Sequence, residues 1–126
     1  MKKIILIVVD DNLVSRLLPG YILRPFDTMV QVLECEDGDE ALQLIRTHQI
    51  THIMLDISMP NQNGIAIAEK IRHTSKESNI RLIAYTADAL TMDAFHLKQI
   101  GFDDVLLKPL RRTELLSALN LVETSS

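Results

Sequence analysis

The chain has 126 residues, of which 47% are hydrophobic, and this length suits one domain with a substantial core. Its net charge of −4 gives no electrostatic reason to expect nucleic acid or an anionic membrane as a partner. The single cysteine, Cys35, excludes an internal disulfide and fits a reducing compartment. No stretch approaches the roughly 20 apolar residues of a transmembrane helix. We therefore expect a cytoplasmic protein.

The first half of the chain alternates between apolar runs and helical patterns. Residues 4–9 predict a central strand, because they are apolar throughout and rich in β-branched side chains. A helix capped by Asn12 or Asp11 follows, and Pro19 predicts that this helix is kinked or split in two. Further strands are predicted at 30–35 and 52–55, with a helix over 39–48 between them.

The second half continues the alternation. Helices are predicted over 64–73, from Ala87 or Asp88 to Gly101, and over 112–122, with strands at 80–85 and 105–107. Strands that alternate with helices in this way favour right-handed crossovers, a parallel sheet and helices on both of its faces. We therefore predict an α/β fold with a doubly wound, five-stranded parallel sheet.

Polar side chains stand where four of these strands end. Asp10 and Asp11 follow the first strand, Asp56 follows the third, Thr86 the fourth and Lys108 the fifth. The carboxyl ends of parallel strands meet at the edge of the sheet where this architecture places its chemistry. Three clustered acids need a cation or a shared proton. Oxygen ligands without His or Cys favour Mg²⁺.

A carboxylate held between a divalent cation and a lysine is able to attack phosphorus as a nucleophile. Asp56, with Lys108 opposite, would have this environment, and Thr86 would add a hydroxyl that stabilises the transferring group. Each residue also has an ordinary alternative. Asp10 and Asp11 could form a turn and a helix cap, Thr86 could cap the next helix, and Lys108 could be solvated.

Five motifs, in order along essentially the whole chain, resemble the receiver domain of bacterial response regulators. They are Asp10-Asp11, residues 36–42, Asp56 with Met59-Pro60 and Asn63-Gly64, Thr86-Ala87, and Lys108-Pro109. Residues 83–89 are most similar to receivers of hybrid sensor kinases or phosphorelays. The resemblance implies a flavodoxin-like form of the α/β fold, with a receiver domain over 1–123 and a frayed tail over 124–126.

The resemblance also implies a function. Asp56 would accept a phosphoryl group from a phosphohistidine of a sensor histidine kinase or a phosphotransfer protein. Thr86, the amide of Ala87 and Lys108 would hold the phosphoryl oxygens, and the Lys108–Pro109 peptide bond would be cis. The chain would be a signalling phosphoacceptor and not an enzyme, apart from promoting transfer to its own aspartate and the later hydrolysis.

A bound Mg²⁺ follows from the same resemblance. Asp11 and Asp56 would ligate it directly, Asp10 mainly through water, and Ser58 through its backbone carbonyl. Phosphorylation would alter the surface over residues 88–122, where an effector domain or a second copy could dock. No nucleic acid or membrane contact is implied for this domain.

A few positions depart from the pattern of the family. Val105 stands where many receivers carry an aromatic residue that swings inward as Thr86 engages the phosphate, so the signal needs another route. Pro19 inside the first helix is also unusual. Ser58 and Asp88 match positions that tune dephosphorylation, and we expect Asp88 to orient or repel the attacking water.

Two other classes of protein stay open on the sequence alone. An aspartate-nucleophile phosphatase of the haloacid dehalogenase type would want a second acid two residues after the nucleophile, where Ser58 stands. A docking module that is never phosphorylated would be expected to lack Asp56 or Lys108, and both are present. A flavin carrier is disfavoured because Asp10 and Asp11 would repel the nucleotide phosphate.

Overall fold

A parallel sheet lies at the centre of the protein. Its strands are β1 (Ile4–Val9), β2 (Val30–Cys35), β3 (His52–Asp56), β4 (Arg81–Thr86) and β5 (Asp104–Leu107). All five are parallel, in the order β2-β1-β3-β4-β5. The computed structural model describes residues 3–59, 62–75, 79–87 and 94–122. The predicted doubly wound sheet is confirmed, and the strand order reverses next to β1, where such sheets bind their ligands.

Helices connect the strands and cover both faces of the sheet. They are α1 (Leu13–Ile22), α2 (Gly38–Thr47), α3 (Gly64–Thr74), α4 (Ala94–Ile100) and α5 (Arg112–Ala118), with a 3-10 turn at Arg24–Phe26. Side chains alternate along a strand, so β1 serves two cores. Leu6 and Val8 pack with residues of α1 and α5, whereas Ile7 and Val9 pack with residues of α2, α3 and α4. Among the described helices, none is long and apolar enough to span a membrane.

Helix α1 contradicts one of the two alternatives expected at Pro19. It is not split at Pro19 but runs as one helix from Leu13 to Ile22, with the proline buried inside it. The predicted cap is present, since the side chain of Asn12 accepts a hydrogen bond from the amide of Ser15 at 3.0 Å. Proline has no N–H to donate to the carbonyl four residues earlier, that of Ser15. The hydroxyl of Tyr85 donates to that carbonyl instead, at 3.4 Å.

The end of the last helix also differs from expectation. Helix α5 ends at Ala118 and not near residue 122, because Asn120 adopts a left-handed φ of 56°, which ends helices. Helix α4 is described from Ala94 to Ile100, and its predicted beginning at 87–88 is only partly covered by the described residues. Pro60, Asp88 and the predicted tail at 124–126 lie outside the described residues.

Gly64 lets α3 begin directly against the end of β3. A Cβ atom at this position would lie 2.6 Å from the Cα of Ile57 and 3.2 Å from the carbonyl oxygen of Asp56. These neighbours are backbone atoms and have no rotamer by which to move away. The contrast is Gly20 inside α1, where the nearest described atom, Val32 Cγ1, would lie 3.8 Å away.

We expect Gly64→Ala to lower the free energy of unfolding by about 2 kcal/mol, because overpacking against backbone forces β3 and α3 apart. Gly20→Ala is the matched control, and it should raise the free energy of unfolding by up to about 1 kcal/mol, because alanine favours helix. Urea unfolding followed by circular dichroism measures both changes. A Gly64→Ala protein as stable as the wild type would contradict the close approach of α3 to β3.

Candidate functional site

Three acids meet at the carboxyl edge of the sheet. Asp10 and Asp11 follow β1, Asp56 closes the neighbouring strand β3, and oxygens of all three carboxylates lie within 4.8 Å of one another. Asp10 is 0% exposed and Asp56 is 3% exposed, whereas Asp11 faces solvent. The convergence expected from strand ends is therefore observed for all three acids.

Lys108 lies opposite the two buried acids. Its Nζ is 2.9 Å from Asp10 Oδ2 and 3.2 Å from Asp56 Oδ2. The backbone places it there, because the amide of Lys108 donates to the carbonyl of Thr86 at 2.8 Å. The Lys108–Pro109 peptide bond is cis, as expected. Burial lowers the pKa of Lys108, but the carboxylates of Asp10 and Asp56 outweigh it and the pKa is raised. The lysine is therefore held as a cation.

Asp10 keeps one oxygen without a hydrogen bond. Its Oδ1 accepts from the amide of Asn12 at 2.9 Å. Its Oδ2 is buried and has no hydrogen-bond partner among the described residues, since the Lys108 contact is an ion pair without hydrogen-bond geometry. The pKa of Asp10 is raised, mainly by burial and further by the negative charge of Asp56. The contacts with Lys108 and with the amide of Asn12 lower this pKa but do not outweigh burial. A buried oxygen that lacks a hydrogen bond, beside two more carboxylates, fits a hard divalent cation such as Mg²⁺.

Ser58 fixes the orientation of Asp56. Both the amide and the hydroxyl of Ser58 donate to Asp56 Oδ1, each at 2.8 Å, and Asp56 Oδ2 faces Lys108. Each oxygen of Asp56 therefore has a donor on one side. The sequence pointed to the backbone carbonyl of Ser58 but gave no signal for the hydroxyl contact, which depends on the local turn after β3.

Thr86 and Ala87 lie at the same edge of the sheet. Thr86 closes β4 and is 2% exposed, and Ala87 follows it as an exposed residue. Asp56 pairs with Tyr85 in the register of β3 and β4, one position before Thr86. Val105, which takes the place of the expected aromatic residue, is half-buried on β5 and packs on the core beneath α3 and α4.

Arg16 supports the site and was missed by the sequence reasoning. Its Nη1 donates to the carbonyl of Asp10 at 3.0 Å, and the guanidinium lies 3.9 Å from Glu34 and 3.5 Å from Glu36. The side chain is only 11% exposed. The available signal was an arginine one turn into α1, facing two acids at the end of β2. Arg16 thereby ties the loop that carries Asp10 to the neighbouring strand.

Known proteins share this architecture and its motifs. A sequence model of the response regulator receiver domain matches residues 5–120. The chain belongs to the response regulator receiver domain family. Stress response regulator protein 1 of Candida albicans is 31% identical over 104 residues, which cover 82% of this chain and 37% of that protein. The receiver therefore spans well under half the length of this curated relative, and the resemblance stated from the motifs is confirmed.

Two solved structures bear on the site. One is the receiver domain of sensor histidine kinase PA1611 from Pseudomonas aeruginosa, which was solved with a magnesium ion coordinated in its active site cleft. It is 28% identical to this chain, with a TM-score of 0.79, and the match covers 94% of this chain and 95% of that one. The co-crystal structure of Saccharomyces cerevisiae Ypd1, a histidine phosphotransfer protein, with the receiver domain of Ssk1 matches at 26% identity, with a TM-score of 0.74 over 94% and 85% of the chains. Receiver domains bind Mg²⁺ at an acidic site of this kind.

Asp10 should make the metal-free receiver less stable at neutral pH. Its pKa is raised in the folded state, so the folded state binds the proton more tightly than the unfolded chain does. The free energy of unfolding then falls as the pH rises from about 4 through the raised pKa. In EDTA at pH 7 we expect Asp10→Asn to be more stable than the wild type by about 1 kcal/mol. The substitution removes the cost of burying the charge and its repulsion with Asp56, and the lost ion pair offsets part of this gain.

Urea unfolding between pH 4 and pH 8 in EDTA measures this difference. The control is Asp39→Asn, the same chemical change at an exposed acid in the first turn of α2, which should show no stabilisation. A metal-free Asp10→Asn protein less stable than the wild type at pH 7 would show that the Lys108 ion pair outweighs burial and repulsion.

Proposed function

We propose that this receiver takes a phosphoryl group onto Asp56 from a phosphohistidine of a sensor histidine kinase or a phosphotransfer protein. The observation that carries the proposal is the position of Lys108 Nζ, within 3.2 Å of Asp56 Oδ2 and 2.9 Å of Asp10 Oδ2. In the transfer, a carboxylate oxygen of Asp56 forms the bond to phosphorus while the bond from phosphorus to the histidine nitrogen breaks. The domain over 1–123 is supported by the family match to 5–120.

Charge balance supports a metal ligand set in this chain. The three carboxylates outnumber the ammonium of Lys108, and the buried Oδ2 of Asp10 lacks a hydrogen bond among the described residues. We assign Asp11 and Asp56 as direct ligands of Mg²⁺, Asp10 as a ligand mainly through water, and the carbonyl of Ser58 as a further ligand. When bound, the ion supplies positive charge next to the phosphoryl oxygens.

Three groups of the chain are assigned to the phosphoryl oxygens. Lys108 already contacts Asp56 and would pair with the phosphoryl group once it is attached there. The hydroxyl of Thr86 and the amide of Ala87 follow β4 at the same edge and would donate hydrogen bonds. The nucleophile thus reacts beside a fixed cation, and little rearrangement is needed as charge moves to the oxygens.

The proposed chemistry is confined to self-phosphorylation and the later hydrolysis. Ser58, at the position where a haloacid dehalogenase-type phosphatase wants an acid, donates its hydroxyl to Asp56 and has no carboxyl group with which to transfer protons. A non-phosphorylated docking module would have no use for the contact between Lys108 and Asp56. The cytoplasmic location stays a prediction.

Asp56→Asn should abolish labelling, because the amide nitrogen is no nucleophile for phosphorus and the negative charge is lost. With acetyl phosphate and Mg²⁺, we expect the wild type to gain one phosphoryl group per chain, as read by intact mass, and to gain none in EDTA. Asp39→Asn is the matched control and should be labelled like the wild type. Continuous hydrolysis of phosphate esters by the wild type, without a stable label, would instead favour the phosphatase.

Helix α1 offers an apolar surface next to the crevice. It begins directly after Asp10 and Asp11, and four of its large hydrophobic residues are exposed: Leu13, Val14, Leu17 and Tyr21. A protein that brings a phosphohistidine to Asp56 has to lie against the rim of the crevice, and α1 gives that rim an apolar surface. We place the phosphodonor here, and we keep the region 88–122, where Phe95, Leu107 and Val122 are exposed, for an effector domain or a second copy.

Val14→Asp should slow transfer from a phosphorylated histidine phosphotransfer protein by about tenfold or more, the scale of an interface residue worth more than 1 kcal/mol. Labelling by acetyl phosphate should stay unchanged, because this small donor needs no docking surface. Val122→Asp is the matched control, since Val14 is 74% and Val122 is 80% exposed, on different parts of the surface. If Val122→Asp alone slows the transfer, the donor docks on the region 88–122.

A further inference from the structure

Tyr85 is a buried tyrosine whose ring and hydroxyl both have polar partners. It is 1% exposed on β4, one residue before Thr86, and it faces the core beneath α1 and α5. The Nζ of Lys108 lies over its ring, 4.8 Å from the centroid. Its hydroxyl donates to the carbonyl of Ser15 on α1, at 3.4 Å. The side chain thus connects α1 with the lysine of the site.

The hydroxyl contact has a specific cause in the sequence. In a regular helix the carbonyl of Ser15 would accept from the amide of residue 19, and Pro19 has no such hydrogen. The hydroxyl of Tyr85, on β4, donates to this carbonyl. Burial raises the pKa of Tyr85, so the hydroxyl keeps its proton and stays a donor. Pro19 and Tyr85 are therefore linked through the carbonyl of Ser15, because the proline leaves it without a helical donor and the tyrosine supplies one.

The ring of Tyr85 restricts the position of the Lys108 ammonium. A lysine side chain has a flexible four-carbon stem and loses rotamer entropy when it is held in one place. The carboxylates of Asp10 and Asp56 attract the Lys108 ammonium from one side. The face of an aromatic ring attracts a cation from another side, which an aliphatic side chain of similar size does not.

We propose that Tyr85 is a positioning residue for Lys108. Its ring holds the ammonium against Asp10 and Asp56, and its hydroxyl fixes the ring on the carbonyl that Pro19 leaves without a helical donor. This inference rests on the proposed function, because the use of a positioned Lys108 is phosphoryl transfer to Asp56.

The kinetic test compares Tyr85→Leu, which removes the ring, with Tyr85→Phe, which keeps it. With acetyl phosphate and Mg²⁺, we expect Tyr85→Leu to slow labelling roughly 3- to 30-fold, the range that a cation–π contact spans, and Tyr85→Phe to restore most of the rate. Mg²⁺ affinity, measured by calorimetry, should not weaken in either variant, since Ser58 and Arg16 hold the acid-bearing loops. If Tyr85 only stabilised the fold, Tyr85→Leu would weaken Mg²⁺ binding as well as slow labelling. Equal labelling rates in Tyr85→Leu and Tyr85→Phe would overturn the proposal.

A second readout is independent of phosphorylation. Protons above an aromatic ring resonate upfield, so the ε-methylene of Lys108 should be shifted upfield in the wild type and in Tyr85→Phe. In Tyr85→Leu, or in Tyr85→Met if the leucine variant does not fold, the shift should disappear. A shift that survives loss of the ring would overturn the proposal. If the wild type is never labelled, the proposed function fails, and this resonance alone decides whether Tyr85 positions Lys108.

The hydroxyl anchor is tested by a double-mutant cycle with Pro19→Ala, which restores the helical N–H. Tyr85→Phe should cost less unfolding free energy in the Pro19→Ala background than in the wild type, because the carbonyl of Ser15 then has another donor. Urea unfolding of the four proteins measures the coupling. Strictly additive effects would show that the hydroxyl does not serve this carbonyl.

Discussion

The contact of one ammonium group with two buried carboxylates is the constraint on which the site depends. Asp10 and Asp56 end adjacent parallel strands, and without Lys108 their charges would face each other in the interior. The strand order puts β1 and β3 side by side, and the bond from the Lys108 amide to the Thr86 carbonyl brings the lysine back over them. The fold thus holds the carboxylates of Asp10 and Asp56 close together around the ammonium of Lys108.

The neutralisation is incomplete, and this makes the site responsive. Asp11 adds a third carboxylate, and Asp10 keeps a buried oxygen without a hydrogen bond among the described residues. Such an arrangement costs stability when nothing is bound and gains it when a cation enters. A fully neutralised cluster would be more stable and would have little affinity for a cation. Local instability at these strand ends is therefore part of how the receiver responds.

The sequence predicts what depends on local pattern and misses what depends on distant partners. The apolar pattern places all five strands, because the side chains that a strand buries show in its own residues, and the topology then brings the strand-end acids and Lys108 together. The continuity of α1 through Pro19 could not be read locally, since the donor to Ser15 comes from Tyr85 on β4. Arg16 was missed for the same reason, because two of its partners follow β1 and β2.

Val105 and Tyr85 lie on opposite faces of the sheet. Val105, where an aromatic residue was expected, packs on the face covered by α3 and α4. The aromatic ring in contact with Lys108 belongs to Tyr85, on the opposite face beneath α1 and α5. A phosphoryl group on Asp56, next to the ammonium of Lys108, would change the field at that ring, and the hydroxyl of Tyr85 connects the ring to α1. Since α1 also carries the exposed apolar surface at the rim of the crevice, a change there would reach the surface that we assign to the phosphodonor.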